Sequence, residues 1–133
     1  MKQTIENALR KNGGVGGVLE ALADSSFDSI LITESTKAGK IVYANKAFKR
    51  LTGFGRQEVI GKSPRILQGP ATDKKVLNRL RVALEKGTCF EGKAVNYKKD
   101  GTPFIMEWRV VPAQIDKTSK VWVAIQREAA HID

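Results

Sequence analysis

The sequence predicts an α+β domain: a five-stranded antiparallel sheet with small helices on one face and a helical cap at the N-terminus. Three observations predict it. Two short β-favouring runs joined by a tight turn come first, a series of short capped helical stretches follows, and from Cys89 onward the apolar residues recur with a period of two in three successive runs. With 133 residues, 41% of them hydrophobic, the chain has the size of one domain with one core and too much apolar content for a disordered segment.

Residues 1–12 read as a short helix with a weak apolar stripe at Ile5 and Leu9. Gly13 and Gly14 interrupt it, because adjacent glycines favour the unfolded backbone. Val15, Val18, Leu19 and Leu22 recur at helical spacing and predict a second amphipathic turn or two, weakened by Gly16 and Gly17. Residues 30–33 and 40–44 are the two β runs, a hairpin across the turn at 36–39. Asn45 is a helix N-cap for residues up to Leu51, with Gly53 and Gly55 marking the end. A short turn of helix near 57–60 ends at Gly61, and Pro64 blocks helix continuation backward. Thr72 or Asp73 caps a longer helix carrying Val76, Leu77, Leu80, Ala83 and Leu84, stopped by Gly87.

Residues 90–98, 103–114 and 120–127 are the three later strands, the first two joined by a hairpin turn at Lys99-Asp100-Gly101-Thr102. Alternation puts Phe104, Met106, Trp108 and Val110 on one face of their strand, and Trp122, Ala124 and Gln126 on one face of the last. The opposite faces carry Ile105 and Val111, then Val121, Val123 and Ile125. A wet sheet face would be mostly polar, so this one needs a cover: the N-terminal helix, another subunit, or both.

Charge and composition restrict the function classes. The net charge is +9, and its excess lies in the middle third, where twelve Lys/Arg between Lys37 and Arg81 face only Glu58 and Asp73. Such a block suits an anion, from one phosphate to a nucleic-acid backbone. No apolar stretch approaches the roughly 20 residues of a membrane span, and the start of the chain lacks the pattern of a signal peptide. The single Cys89 forms no internal disulfide and points to a reducing cytosol. His131, the only histidine, follows the last strand, which argues against a haem ligated from the pocket. No Ser/His/Asp set, Cys/His set, carboxylate pair or phosphate-cradling glycine loop stands out, so the chain reads as a non-enzyme.

The element order, together with Ile41-Val42-Tyr43-Ala44-Asn45-Lys46-Ala47-Phe48, Leu51-Thr52-Gly53-Phe54, Glu58-Val59-Ile60-Gly61-Lys62, Asn96-Tyr97-Lys98-Lys99-Asp100-Gly101 and Pro112, resembles a PAS domain over about residues 26–128. The resemblance implies a sensor or interaction module, usually dimeric, preceded by a helical cap or dimerisation segment at 1–25 and followed by a short tail at 129–133. That tail is too short for the long C-terminal helix linking many PAS domains to an effector.

Within that superfamily, Arg65-Ile66-Leu67-Gln68-Gly69-Pro70-Ala71-Thr72-Asp73 looks like the light-oxygen-voltage (LOV) branch, which binds a flavin nucleotide and senses blue light. The resemblance assigns Arg65 and Arg81 to the flavin phosphate, Gln68 to the ribityl chain, Asn96 and Gln126 to the polar ring edge, and Thr33 to the pocket rim. Guanidinium forks and amides are chemically suited to those roles. The family's photoactive cysteine aligns with Pro64, which has no thiol, and Cys89 aligns away from the ring. Ser63 and Met106 stand where the family has ring-binding asparagines, and Trp108 where it has a smaller aromatic.

The expected function is a flavin-binding sensor of light or redox state, with flavin mononucleotide (FMN) as cofactor, or the dinucleotide FAD, or none, and no cysteinyl-flavin adduct. The expected partners are a second copy, through the N-terminal helix and outer sheet face, and a downstream signalling protein not identified by the sequence. The alternatives are a ligand-free PAS dimerisation module with Trp108 and Met106 closing the pocket, and, in third place, a nucleic-acid binder.

Overall fold

The computed structural model describes residues 14–132, with side chains from Gly17 onward; the helix expected at 1–12 lies outside them. Helix α1 (Gly14–Asp24) is followed by strands β1 (Ser29–Glu34) and β2 (Ile41–Ala44) and helices α2 (Lys46–Thr52) and α3 (Arg56–Val59). A 3-10 turn (Pro64–Leu67), helix α4 (Lys74–Lys86) and strands β3 (Phe90–Tyr97), β4 (Pro103–Gln114) and β5 (Lys120–Glu128) complete it. All five strands form one antiparallel sheet in the order β2-β1-β5-β4-β3, so the first and last strands pair at its centre.

Local chemistry accounts for the helix ends. The Asn45 side chain accepts from the Phe48 N–H at the start of α2, and Gly53 closes that helix in the left-handed region. Asp73 caps α4 by accepting from the Lys75 N–H, and Gly87 ends it with positive φ. The 3-10 turn has Ser63 as its N-cap and Pro64 at its first position, where a missing N–H costs nothing. Gly16 and Gly17 do not break α1, which is continuous through them.

The core lies between the inner sheet face and the helices. Phe48 and Val59 from α2 and α3, and Leu67 from the 3-10 turn, are at most 3% exposed and pack on Leu31, Ala94, Phe104, Met106, Trp108, Trp122 and Ala124. The inner face read from alternation is the one observed: Phe104, Met106, Trp108 and Val110 are inward and buried, as are Trp122, Ala124 and Gln126; on the opposite face Val121 is buried as well, while Ile105, Val111 and Val123 are half-buried. The outer face is not covered by α1. That helix packs against α2 and leaves Val18, Leu19 and Leu22 exposed, while Val42 and Ile125 stay exposed on the sheet.

The C-terminal end of α1 is tied down instead by a polar cluster. Asp24 Oδ1 accepts from Arg56 Nη2 (2.8 Å), Tyr43 OH (3.0 Å) and the Lys46 N–H (3.1 Å). Burial raises the Asp24 pKa, but the hydrogen bonds from Arg56, Tyr43 and Lys46 outweigh it and leave it below its ordinary value. Burial and the same carboxylate push the Tyr43 hydroxyl up to about 12.

Candidate functional site

The inner sheet face arranges its residues in cross-strand rows set by the register. One row runs Gly92, Trp108, Gln126, Ser29 across β3, β4, β5 and β1. The next pairs Ala94 with Met106, and the one beyond it Asn96 with Phe104. Gly92 carries no side chain where the Trp108 indole lies opposite, and the Phe90 ring packs on that indole in a tilted arrangement, with centroids 5.2 Å apart and planes 47° apart. An alanine Cβ at Gly92 would lie 2.6 Å from the Phe90 ring, so the glycine makes room for this aromatic pair.

Two buried amides stand at the ends of this array. Gln126, 4% exposed, accepts through Oε1 from Ser29 Oγ at 2.9 Å. It also lines a cleft of about 220 Å3 that opens past Phe27, Ala47, Leu51 and Lys98. Asn96 is 5% exposed, and its amide is hydrogen-bonded to no described residue. Among the described residues no buried side-chain nitrogen or oxygen lacks a partner, so the remaining accessible surface of Asn96 lies at its amide. In register the two amides are four β4 residues apart, at Phe104 and Trp108, roughly 13 Å at ~3.3 Å per residue. Met106 lies between them.

The remaining candidates are more scattered. Arg65 is exposed, with its N–H on Ser63 Oγ (3.2 Å) and its guanidinium unpaired among the described residues. Arg81 is exposed and bound within its own helix, to Asn78 Oδ1 and Glu85 Oε1, both at 2.7 Å. Gln68 is half-buried and closes the 3-10 turn through its backbone. Thr33 is half-buried opposite Trp122, beside an irregularity in the β1–β2 ladder. Cys89 is exposed, just before β3. Among the described residues no group of His, Cys, Asp or Glu could hold a metal ion, and no helix is long and apolar enough to cross a membrane.

A family model for the PAS domain matches residues 28–129. The chain belongs to the PAS domain family. This PAS domain is 32% identical over 111 residues, 84% of its length, to a blue-light photoreceptor of Listeria monocytogenes, and covers 44% of that protein. It is 42% identical over 76 residues, 57% of its length, to a blue-light-activated histidine kinase of Brucella anthropi, covering 16% of it. It therefore spans less than half the length of these curated relatives. Among solved structures it matches a light-oxygen-voltage domain studied with a flavin analogue, at a TM-score of 0.77 and 30% identity over 86% of each chain. It also matches the LOV domain of a blue-light-activated histidine kinase from Erythrobacter litoralis, with a TM-score of 0.72 and 30% identity over 78% of this chain and 97% of that one.

The donor types of this domain fit a flavin: the Gln126 amide held by Ser29, the Asn96 amide with a little accessible surface and no partner among the described residues, and the exposed Arg65 guanidinium. The space over Ala94 and Met106, between those amides, is filled as the side chains stand. Side chains lining an open cavity are in contact with water, yet Ala94, Phe48 and Val59 are at 0% and Met106 at 2% exposure. A planar ring enters only if Trp108 or its neighbours turn aside. Sequence reasoning did not find Ser29 or the Asp24 cluster, because their partners lie 97 and 32 residues away along the chain.

Proposed function

We propose that this PAS domain is the sensor part of a cytosolic signalling protein and takes a flavin, FMN rather than FAD, along the inner face of β4, without a bond from a cysteine to the ring. The observation that carries this reading is the Asn96 amide, which has no partner among the described residues and keeps the little accessible surface of a residue 5% exposed, on the same sheet face as Gln126. Bound flavin would supply light- or reductant-driven electron transfer. Asn96 and Gln126 would hold its polar edge, Gln126 with its carbonyl still on Ser29. Arg65 would take the phosphate with its free guanidinium, and Arg81 would join it after leaving Asn78 and Glu85. Gln68 would hold the ribityl chain, Thr33 the rim, and Met106 and Trp108 the wall. Pro64 in the 3-10 turn offers no thiol, and Ser63 is engaged as its cap. Output would pass to a second copy through α1 and the outer sheet face, both of which expose apolar side chains.

The absorbance spectrum of freshly purified protein tests this. The expected result is a yellow protein whose flavin bands are not replaced by an adduct spectrum on illumination. A colourless protein that takes up no added FMN overturns it. Trp108→Phe, which widens the ring space, is expected to raise FMN uptake.

A second reading, a ligand-free interaction module, is favoured by the closed packing of Phe90, Met106 and Trp108. It expects a colourless dimer by light scattering, with Trp108→Phe lowering stability and gaining no flavin.

A further inference from the structure

Most cations on the sheet side of this domain have a carboxylate beside them. Lys98 lies 3.7 Å from Glu128, Lys93 3.9 Å from Glu107 and Arg127 2.8 Å from Asp28, and Arg109 and Lys99 pair with Glu91 and Glu58. The corner where β1 turns into β2 is built differently. The Ile41 N–H donates to the Lys62 carbonyl and the Gly61 N–H to the Ile41 carbonyl, both at 2.8 Å. The Glu34 N–H donates to the Lys40 carbonyl (2.9 Å) and the Ser35 N–H to the Lys120 carbonyl (3.3 Å). These backbone bonds gather Lys40, Lys62 and Lys120 at one corner, with Lys37 on the turn between β1 and β2.

All four lysines are exposed, and among the described residues no salt bridge joins any of them to a carboxylate. Two acids belong to neighbouring segments, Glu34, which accepts from Thr36 Oγ1 (3.4 Å), and Asp116, which accepts from the N–H groups of Thr118 (2.8 Å) and Ser119 (2.7 Å); neither is in a salt bridge with these lysines, and four lysines against two acids leave the corner positive. Two large aliphatic side chains are exposed in the same place, Val42 at 44% and Ile60 at 45%, each next to a residue of the Ile41–Gly61 bridge.

We propose that this corner docks an acidic segment of a partner protein that also carries aliphatic side chains. Four ammonium groups outside any salt bridge select negative charge. The exposed Val42 and Ile60 select a partner with apolar side chains, because a phosphate backbone has none to place on them. A single-stranded nucleic acid would look for exposed aromatic rings to stack on, and this corner's exposed large side chains are aliphatic. The charges come from three separate chain segments along with two aliphatic side chains, which suits an extended chain better than a single small anion. The surface is independent of whether the inner face holds a flavin.

The test is fluorescence anisotropy on the full chain with three labelled probes: a peptide alternating glutamate and leucine, an all-glutamate peptide of equal length, and oligouridylate. The expected result is tightest binding of the glutamate–leucine peptide, weakening as salt rises. The double variant Lys40→Glu/Lys62→Glu, with thermal unfolding confirming an intact fold, should lose about tenfold or more in affinity, ~1.4 kcal/mol. Val42→Ser, which removes the apolar surface without adding charge, should weaken the glutamate–leucine peptide more than the all-glutamate one. The proposal is overturned if neither peptide binds at low ionic strength, if oligouridylate binds more tightly than both, or if the charge reversal leaves affinity unchanged.

Discussion

Replacing Asn45 with alanine should cost more than the loss of an ordinary helix cap. Asn45 is 2% exposed, and its side chain makes four hydrogen bonds. Oδ1 accepts from the Ile30 N–H (2.8 Å) and the Phe48 N–H (3.1 Å), and Nδ2 donates to the carbonyls of Ala23 (2.6 Å) and Asp28 (3.0 Å). It thus joins the end of α1, the start of β1 and the start of α2. Loss of the cap costs about 1 kcal/mol. The Phe48 N–H keeps a backbone acceptor, the Asn45 carbonyl. The Ile30 N–H keeps none, and such an orphaned donor costs about 1–3 kcal/mol. Water reaches the partly exposed Ala23 and Asp28, so their carbonyls add little. The sum is about 3 kcal/mol, or a fall in melting temperature of roughly 10 °C for a domain of this size. Asn45→Ser keeps the cap to Phe48 but is too short to span to Ala23 and Asp28, and should recover about 1 kcal/mol. Urea unfolding followed by circular dichroism measures both. An alanine variant within ~0.5 kcal/mol of wild type, or a serine variant no better than alanine, refutes the reasoning.

Two further outcomes follow from the same geometry. Asp24, held below its ordinary pKa of 3.8, stabilises the fold above that value and loses the contribution as the pH falls through its folded value. The melting-temperature gap between wild type and Asp24→Asn should therefore be widest near neutral pH and close below 3.8; a gap constant with pH would remove Asp24 from the account. Gly69→Ala would drive a Cβ into the Tyr97 ring, whose hydroxyl accepts from the Ala71 N–H at 2.9 Å. It should cost about 1–3 kcal/mol, and unchanged unfolding would mean that the loop shifts freely.

Much of this fold is legible in local chemistry. The Asn45 and Asp73 caps, the stops at Gly53 and Gly87 and the period-two runs after Cys89 all act over a few residues, and the elements fall within a residue or two of where they predict. The 3-10 turn escaped because Pro64 reads only as a block, while Ser63 in front of it supplies the cap. At the site, alternation is enough to turn Gln126 inward, but its partner Ser29 is set by β1–β5 pairing, which no local pattern reports. Arg81 shows the limit from the other side. A match to a phosphate ligand says nothing of Asn78 and Glu85, whose helical spacing places them in reach of the same guanidinium.

Pairing of the first strand with the last brings the two ends of the domain together. Ser29 lies opposite Gln126, and Asp28 is ion-paired to Arg127 at 2.8 Å. Any chain entering before β1 and leaving after β5 does so at neighbouring points, so the domain can sit within a longer protein like a bead clipped onto a string, with little change in the string's length. A pull or twist on either flank is felt by the same ladder. The Ser29–Gln126 hydrogen bond bridges that ladder from the inside, so a change in the interior and a change in the linkers meet at one seam.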